Sequence, residues 1–219
     1  MQFDFTELSA KDRYKLMVST ILPRPIAWVV TQSAAGLVNA APYSFFNGVG
    51  GDPPLVSISI EGRGDGACKD TSANIRGSGQ FVVNLVSDAL AHDMVVTAID
   101  FAPDVSEVAE ARLTTAPSML VKPPRIAESP VAFECELYQV VELPHGRDLV
   151  IGRILCMHVA DEAVQDAERC HIDTPKLDLV GRMHGGGLYS RTRDRFEIPR
   201  ITVPECKRQA EYNTVHLDD

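Results

Sequence analysis

The sequence lacks several features that would assign it to a class at once. It has no apolar run of the roughly 18–20 residues that cross a bilayer, so no membrane-spanning helix is expected. The N-terminus carries Asp4 rather than a basic segment followed by an apolar one, so no export signal is predicted and the cytoplasm is the expected location. With 21 Lys and Arg against 30 Asp and Glu, the net charge of −9 argues against a general nucleic-acid binder. A small anionic ligand remains compatible with this charge, since such sites are built locally.

Cysteine is scarce and has no metal-binding spacing. The five cysteines are widely spaced, and none forms C-x-x-C or stands with a histidine at zinc-finger spacing. We therefore predict no metal site. Cys135 and Cys156 fall within apolar, strand-like segments, where a free thiol is expected to be buried as a small hydrophobe.

A dinucleotide-binding signature is also missing. No G-x-G-x-x-G follows the first strand-like segment, and residues 48–51 are glycine-rich but lead into Pro-Pro rather than a helix. Helices do not alternate with strands, which argues against a doubly wound sheet. Short strands at hairpin spacing instead predict a closed or nearly closed antiparallel barrel. We expect one domain over residues 1–203 and a polar tail over 204–219.

The apolar patterning places the individual elements. The predicted strands are residues 25–31, 37–46 (interrupted by Pro42), 55–60, 80–86, 131–142 and 148–159, and the predicted helices are residues 88–99 and 106–112, the second within an excursion over 100–124. The clearest local prediction is the hairpin of the last two strands. In its first strand Phe133, Cys135 and Leu137 alternate with Glu134 and Glu136.

Residues 69–74 resemble a phosphate cradle. They follow a strand and a glycine-rich connector, and they precede Ile75 and a stop signal at Gly77 and Gly79. A helix N-terminus attracts anions, Lys69 adds a full charge, and Thr71, Ser72 and Asn74 add polar donors. The alternative is an ordinary helix start with Asp70 or Thr71 as N-cap. Asp70 would repel a phosphate unless its side chain points away.

Several segments in this order strongly resemble one family. They are residues 23–31, 39–46, 52–54, 69–75 and 80–85. Together they resemble the flavin reductase-like proteins with an FMN-binding split barrel, particularly the flavoredoxin-like branch, over roughly residues 18–195. The resemblance implies a mainly β fold, an antiparallel Greek-key split β-barrel with small flanking helices, assembled as a homodimer.

The resemblance also implies FMN as cofactor and a set of residues that hold it. Lys69 and Thr71 would hold the phosphate, with Asn74 nearby and Arg24 as a further cation. The segment along the ribityl chain and ring would be Tyr43, Ser44, Phe45 and Phe46, and Ser59 would face the ligand. The alternatives are a surface salt bridge for Arg24 and core packing for at least one of the two phenylalanines. Trp28 is expected in the core or in a subunit interface, which would also use residues 100–124.

Residues 181–189 resemble the family's glycine-containing strand, where the second subunit helps to complete the flavin pocket. His184 stands where the family more often has glycine. It is the candidate catalytic residue, through contact with flavin or nicotinamide, and the alternative is a polar residue at the pocket rim. The resemblance implies that NADH or NADPH reduces the flavin and that electrons pass onward, for example to a monooxygenase. The alternatives are an FMN-binding electron-transfer protein that oxidises no nicotinamide and a scaffold that has lost flavin.

Overall fold

A seven-stranded antiparallel sheet forms the centre of the protein, seen in a computed structural model that describes residues 1–64, 67–102 and 104–205. The helices are α1 (Ala10–Thr20), α2 (Asp70–Ser78), α3 (Ala91–Val96) and α4 (Glu107–Glu110). The strands are β1 (Ala27–Gln32), β2 (Val38–Tyr43), β3 (Phe46–Gly51), β4 (Pro54–Ile60), β5 (Gln80–Asn84), β6 (Thr115–Ala116), β7 (Arg125–Ile126), β8 (Val131–Leu143), β9 (Arg147–Val159), β10 (Val164–Asp166), β11 (His171–Ile172), β12 (Val180–Arg182) and β13 (Tyr189–Arg191). The sheet order is β2-β1-β5-β8-β9-β4-β3, and the remaining strands form three small pairs. The prediction of a mainly β, antiparallel fold is confirmed.

The sheet curls back on itself. Val29 of β1 and Ile58 of β4 lie in one buried cluster, although β5, β8 and β9 stand between their strands in the sheet order. The N–H of Ser59 in β4 also donates to the carbonyl of Phe45, just after β2, at 2.8 Å. Among the described residues, the edge strands β2 and β3 do not pair with each other. The curl places the end of β2 beside β4 and makes room for a cleft there.

Trp28 belongs to the core on the opposite face of β1. It is fully buried, packs in a cluster with Met94 and Val108, and donates its indole N–H to Thr97 Oγ1 at 2.8 Å. The excursion over residues 100–124 contributes Val108 and Val121 to this cluster. The core interpretation of Trp28 is therefore confirmed, and its expected use in a subunit interface is wrong.

The long hairpin β8–β9 forms as predicted, with the alternation of Cys135 and Glu134 kept. Cys135 lies in the inner core cluster, whereas Glu134 points to the other face and is buried there as well. Cys156, predicted to be buried, is partly exposed, and its sulfur lies 4.0 Å from that of Met119, an exposed loop residue. The apolar pattern thus predicts these strands correctly, but it does not predict how exposed each face of a strand is.

Several elements differ from the prediction. Helix α1 was not predicted, because only Val18 of its residues is buried and its apolar pattern is weak, although Ser9 caps it by accepting from the Asp12 N–H. The predicted strand 37–46 is β2 and the start of a separate strand, β3. The predicted helix 88–99 is a 3-10 turn followed by α3, and the helix at 106–112 is shortened to α4. Most of the predicted tail, residues 206–219, lies outside the described residues. No helix in the described ranges has the length and apolarity to span a bilayer.

Candidate functional site

The cleft lies where the end of β2, strand β4 and the start of α2 meet. It consists of two adjoining cavities, of about 220 Å³ (the outer cavity) and about 80 Å³ (the inner cavity). Both are lined by Pro42, Tyr43 and Lys69. The outer cavity is completed by Tyr14, Ser44, Phe45, Ser59, Glu61 and Arg182, and the inner one by residues that include Asn39, Arg63, Asp70, Thr71, Asp100 and Glu107.

The start of α2 presents free donor capacity to the cleft. Lys69 is the N-cap, and its side chain makes no capping bond, so the alternative of Asp70 or Thr71 as N-cap is wrong. The first-turn N–H groups of α2 have no acceptor within the helix. Asp70 turns to Arg63, whose Nη2 donates to its carboxylate at 2.6 Å, and this neutralises the acid that would otherwise repel an anion. Lys69 Nζ lies 3.6 Å from Asp100, a carboxylate that is 92% exposed.

Helix α2 ends where the sequence predicts. Gly79 caps it with φ +69°, a left-handed conformation that glycine adopts without strain. The opposite face of the helix is anchored to the hairpin β8–β9, since Ser72 and Arg76 both donate to the buried carboxylate of Asp148. These hydrogen bonds from Arg76, opposed by burial, hold the pKa of Asp148 below its usual value.

The inner wall is a closed network of polar side chains. Thr71 Oγ1 accepts from the Tyr43 hydroxyl at 2.9 Å and donates to Asn39 Oδ1 at 3.0 Å. Asn39 in turn donates to Glu107 at 2.8 Å. Asn74 is placed away from the cleft and donates to Thr31 Oγ1 at 3.0 Å. The side chains of Thr71 and Asn74 therefore position the strands against α2.

Burial raises the pKa of two groups in this wall. Burial of the Tyr43 phenol raises its pKa well above the ordinary value. Burial of the Glu107 carboxyl raises its pKa too, although bonds from Ala40 and Asn39 oppose the effect. The inner wall is thus a desolvated region in which Tyr43 stays protonated.

Arg24 is a buried cation that organises the outer cavity. It is 4% exposed, and its guanidinium donates to the carbonyls of Val18 at 2.8 Å, Ile21 at 3.0 Å and His184 at 3.2 Å. Its Nε also reaches Ser44 Oγ at 3.4 Å. The alternative of a surface salt bridge for Arg24 is wrong. The residue ties α1 and the 184 loop to the cavity wall.

The two neighbouring phenylalanines take different places. The ring of Phe45 lines the outer cavity, and the guanidiniums of Arg24 and Arg147 each lie 5.9 Å from its centroid. Arg147 also donates to Ser59 Oγ at 3.3 Å. Phe46 instead opens β3 and packs against the inner core. The alternative of core packing therefore holds for Phe46 and not for Phe45.

His184 is not among the residues that line either cavity. It is exposed, has φ +45°, and is tied to the site through its backbone carbonyl. Arg182, two residues earlier, lines the outer cavity with its guanidinium 4.7 Å from the centroid of the Tyr189 ring. The backbone of Arg182 pairs with that of Arg24, which brings it there. In the segment 181–189, Arg182 therefore lines the outer cavity, whereas the candidate residue His184 does not.

Comparison with known proteins decides the family. Residues 18–185 match the flavin reductase like domain. The chain belongs to this family. The flavin reductase-like assignment confirms the resemblance stated from the sequence segments.

Solved structures of similar proteins follow the same fold. The 2-nitrobenzoate 2-nitroreductase NbaA of Pseudomonas fluorescens is 35% identical, with a TM-score of 0.85 over 93% of this chain and 98% of that one. Nitrilotriacetate monooxygenase component B of Bacillus cereus is 32% identical, with a TM-score of 0.84 over 90% and 98%. The flavoredoxin of Desulfovibrio vulgaris (Miyazaki F) is 20% identical, with a TM-score of 0.74 over 93% and 100%, a likeness of fold.

Proposed function

We propose that the protein binds FMN in the cleft and is an oxidoreductase that reduces this flavin with NADH or NADPH. The observation that carries the proposal is the meeting of Tyr43, Ser44, Phe45, Ser59 and Lys69, from separate segments of the chain, around one cleft. Membership of the flavin reductase-like family supports it. The curled antiparallel sheet supports the corresponding Greek-key split barrel.

The residues present fit a flavin mononucleotide. Each cavity alone is smaller than the roughly 300–1,000 Å³ typical of small-molecule sites, so a nucleotide would need both. Tyr43 and Lys69 line both cavities, so a ligand that extends from one cavity into the other would contact both residues. Lys69 and the first-turn N–H groups of α2 would hold the phosphate, with Thr71 contributing its backbone N–H.

At the other end, Phe45 would provide an apolar surface for the ring, and the hydroxyls of Ser44 and Ser59 would provide polar contacts. Arg24 and Arg147 hold Phe45 and these two serines in place. The chemistry that FMN supplies when bound is acceptance of a hydride from nicotinamide and passage of electrons to an acceptor. The protein's part is to position the flavin and nicotinamide rings, and hydride transfer between them requires neither a nucleophile nor a general base.

Anaerobic mixing of the FMN-loaded protein with NADH and then with NADPH tests the activity. Rapid loss of flavin absorbance with either nucleotide supports the reductase. Absence of bleaching by both, with flavin properly bound, would replace it by an electron-transfer protein that oxidises no nicotinamide. Reduced protein is then offered a monooxygenase partner and a nitroaromatic acid, the acceptor classes suggested by the 32% and 35% identical structures.

His184 remains the proposed catalytic residue, in the sense of placing nicotinamide. Its exposed position beside the cavity wall leaves its side chain accessible to a second substrate. His184→Ala should slow bleaching and leave FMN affinity unchanged, while the exposed His171→Ala serves as the matched control. An unchanged bleaching rate in His184→Ala would favour the alternative, in which His184 is a polar residue at the pocket rim.

We further propose a homodimer in the cytoplasm. Exposed apolar side chains cluster in α1 and just after it, at Tyr14, Met17, Ile21 and Leu22, next to the outer cavity. A partner that covers them would bury apolar surface and narrow the mouth of the cleft. Light scattering that shows a monomer at all concentrations would contradict the dimer.

A further inference from the structure

Three metal-ligating side chains converge on the hairpin β8–β9, outside the cleft. Glu134 pairs directly with Cys156 across the hairpin, and His158 follows on the same face two residues later. Their ligand atoms all lie within 4.8 Å of one another. Cys156 Sγ is 4.0 Å from His158 Nε2, and this nitrogen is 2.6 Å from Glu134 Oε1.

The arrangement does not fit a nucleophilic triad. A thiol–imidazole–carboxylate relay uses one ring nitrogen toward the thiol and the other toward the carboxylate. Here the same nitrogen, Nε2, faces both partners. Nε2 therefore bonds to the Glu134 carboxylate and lies near the thiol at the same time, so three potential metal ligands converge on one point.

Glu134 is a fixed and fully buried anion. Its carboxylate accepts backbone N–H bonds from Met119 at 2.7 Å, Leu120 at 2.6 Å and Val121 at 3.2 Å. Among the described residues, its single ion-pair partner is His158, which is positive only when protonated. Such outer contacts orient a ligand and hold it in place. The Glu134 carboxylate is therefore held in a fixed orientation in which it can bind a cation.

We propose that Glu134, Cys156 and His158 bind a zinc-type divalent cation, with a fourth position open to water. Zinc bonds of about 2.0–2.3 Å at tetrahedral angles put ligand atoms roughly 3.3–3.8 Å apart. To reach that spacing, the sulfur–nitrogen distance of 4.0 Å closes by about 0.4 Å, the nitrogen–oxygen distance of 2.6 Å opens by about 0.7 Å, and the sulfur–oxygen pair, which lies within 4.8 Å, closes by at most about 1.2 Å. A thiolate and a carboxylate balance the double positive charge.

Metal binding at this site requires that the ligands lose or move their protons and that the cation can reach the thiol. Binding releases the thiol proton of Cys156 to solvent and moves the imidazole proton of His158 from Nε2 to Nδ1, so each ligand presents a lone pair. Met119 Sδ lies 4.0 Å from Cys156 Sγ, and Met119 is 74% exposed, so a flexible and exposed side chain lies beside the thiol. The sequence analysis predicted no metal site because it considered local spacing, whereas strand pairing is what places Glu134 beside Cys156 and His158.

Cobalt(II) tests the proposal as a coloured substitute for zinc. Added to the full-length protein as purified, and recorded as a difference spectrum so that any bound chromophore cancels, it should give a thiolate-to-cobalt charge-transfer band that zinc then abolishes. Cys156→Ser should lose the band, and His158→Gln should weaken cobalt binding by at least about tenfold. Cys170→Ser, which removes an exposed cysteine elsewhere, should keep both.

Two results would overturn the site. One is the absence of a charge-transfer band in the native protein at cobalt concentrations well above stoichiometric. The other is a band that persists in Cys156→Ser and disappears in Cys170→Ser. Circular dichroism of each variant confirms folding, and none of these measurements depends on flavin or on enzymatic activity.

Discussion

The inner and outer walls of the cleft contain similar polar residues but use them differently. In the inner wall Tyr43, Thr71 and Asn39 donate to and accept from one another or Glu107. Lys69, which lines both cavities, makes one long contact with an exposed carboxylate, and in the outer wall the hydroxyl proton of Ser44 has no acceptor among the described residues. The difference teaches that residue type alone does not distinguish a residue that binds a ligand from one that supports the fold. Unused hydrogen-bonding capacity is what distinguishes the two.

The largest effect is expected at Arg24, which holds the outer wall together. Arg24→Met removes three bonds to backbone carbonyls and leaves these acceptors buried, so we expect a loss of about 2–4 kcal/mol in the free energy of unfolding. Urea denaturation measures it. The control is Arg13→Met, which removes bonds to two carbonyls at a less buried position and should change stability less. Equal effects would mean that Arg24 has no special role.

Thr71 tests the scaffold role of the inner wall. Thr71→Val removes the hydroxyl that joins Tyr43 and Asn39, so unfolding should become easier by about 1–3 kcal/mol while FMN affinity stays unchanged. Thr71→Ser keeps the hydroxyl and is the matched control. Denaturation and FMN fluorescence titration are both required. A Thr71→Val variant with normal stability and weakened FMN binding would contradict the scaffold role of the inner wall.

Lys69 tests the opposite behaviour. Lys69→Ala should weaken FMN binding by about 10- to 150-fold, the equivalent of a charge-assisted hydrogen bond of about 1.5–3 kcal/mol, with stability changed by less than about 0.5 kcal/mol. The exposed Lys11→Ala controls for the loss of one positive charge. Unchanged affinity in Lys69→Ala would refute the phosphate cradle at α2.

The smallest effect concerns the anchored face of α2 and depends on pH. The pKa of Asp148 is lowered in the folded protein, chiefly by Arg76, so its contribution is present above the unfolded value near 3.8 and is lost as pH falls through the folded value. In Asp148→Asn the free energy of unfolding should therefore fall less steeply with acidification below about pH 4, by at most about 1.4 kcal/mol per pH unit. Parallel slopes in urea titrations of both proteins would contradict the anchor.

Much of the fold could be predicted because strand patterning is local. The hairpin β8–β9 and the buried face of Val56, Ile58 and Ile60 follow directly from alternation. Helix α1 could not be found this way, since it buries almost nothing, although the Ser9 cap and Asp12 three residues later were a usable signal. Strand β3 is glycine-rich and largely exposed, so it carries no apolar pattern.

The candidate site was predicted in part. Tyr43, Ser44, Phe45, Ser59 and Lys69 do line the outer cavity. Asn74 lies more than one helical turn beyond the N-cap, and a turn rises about 5.4 Å, so it meets a different part of the sheet.

The remaining differences have equally physical causes. Phe46 packs in the core instead of lining the cleft because it begins a new strand, β3. His184 does not line the cleft because it lies in an exposed loop. The contribution of Arg182 depends on its pairing with Arg24, a contact between residues far apart in sequence.

A crystal structure of the FMN complex tests the central claim most directly. The proposal predicts density for the phosphate within hydrogen-bond distance of Lys69 Nζ and the first-turn N–H groups of α2, and density for the ring beside Phe45. Flavin bound elsewhere on the protein, or a phosphate with no contact to Lys69 and α2, would contradict it.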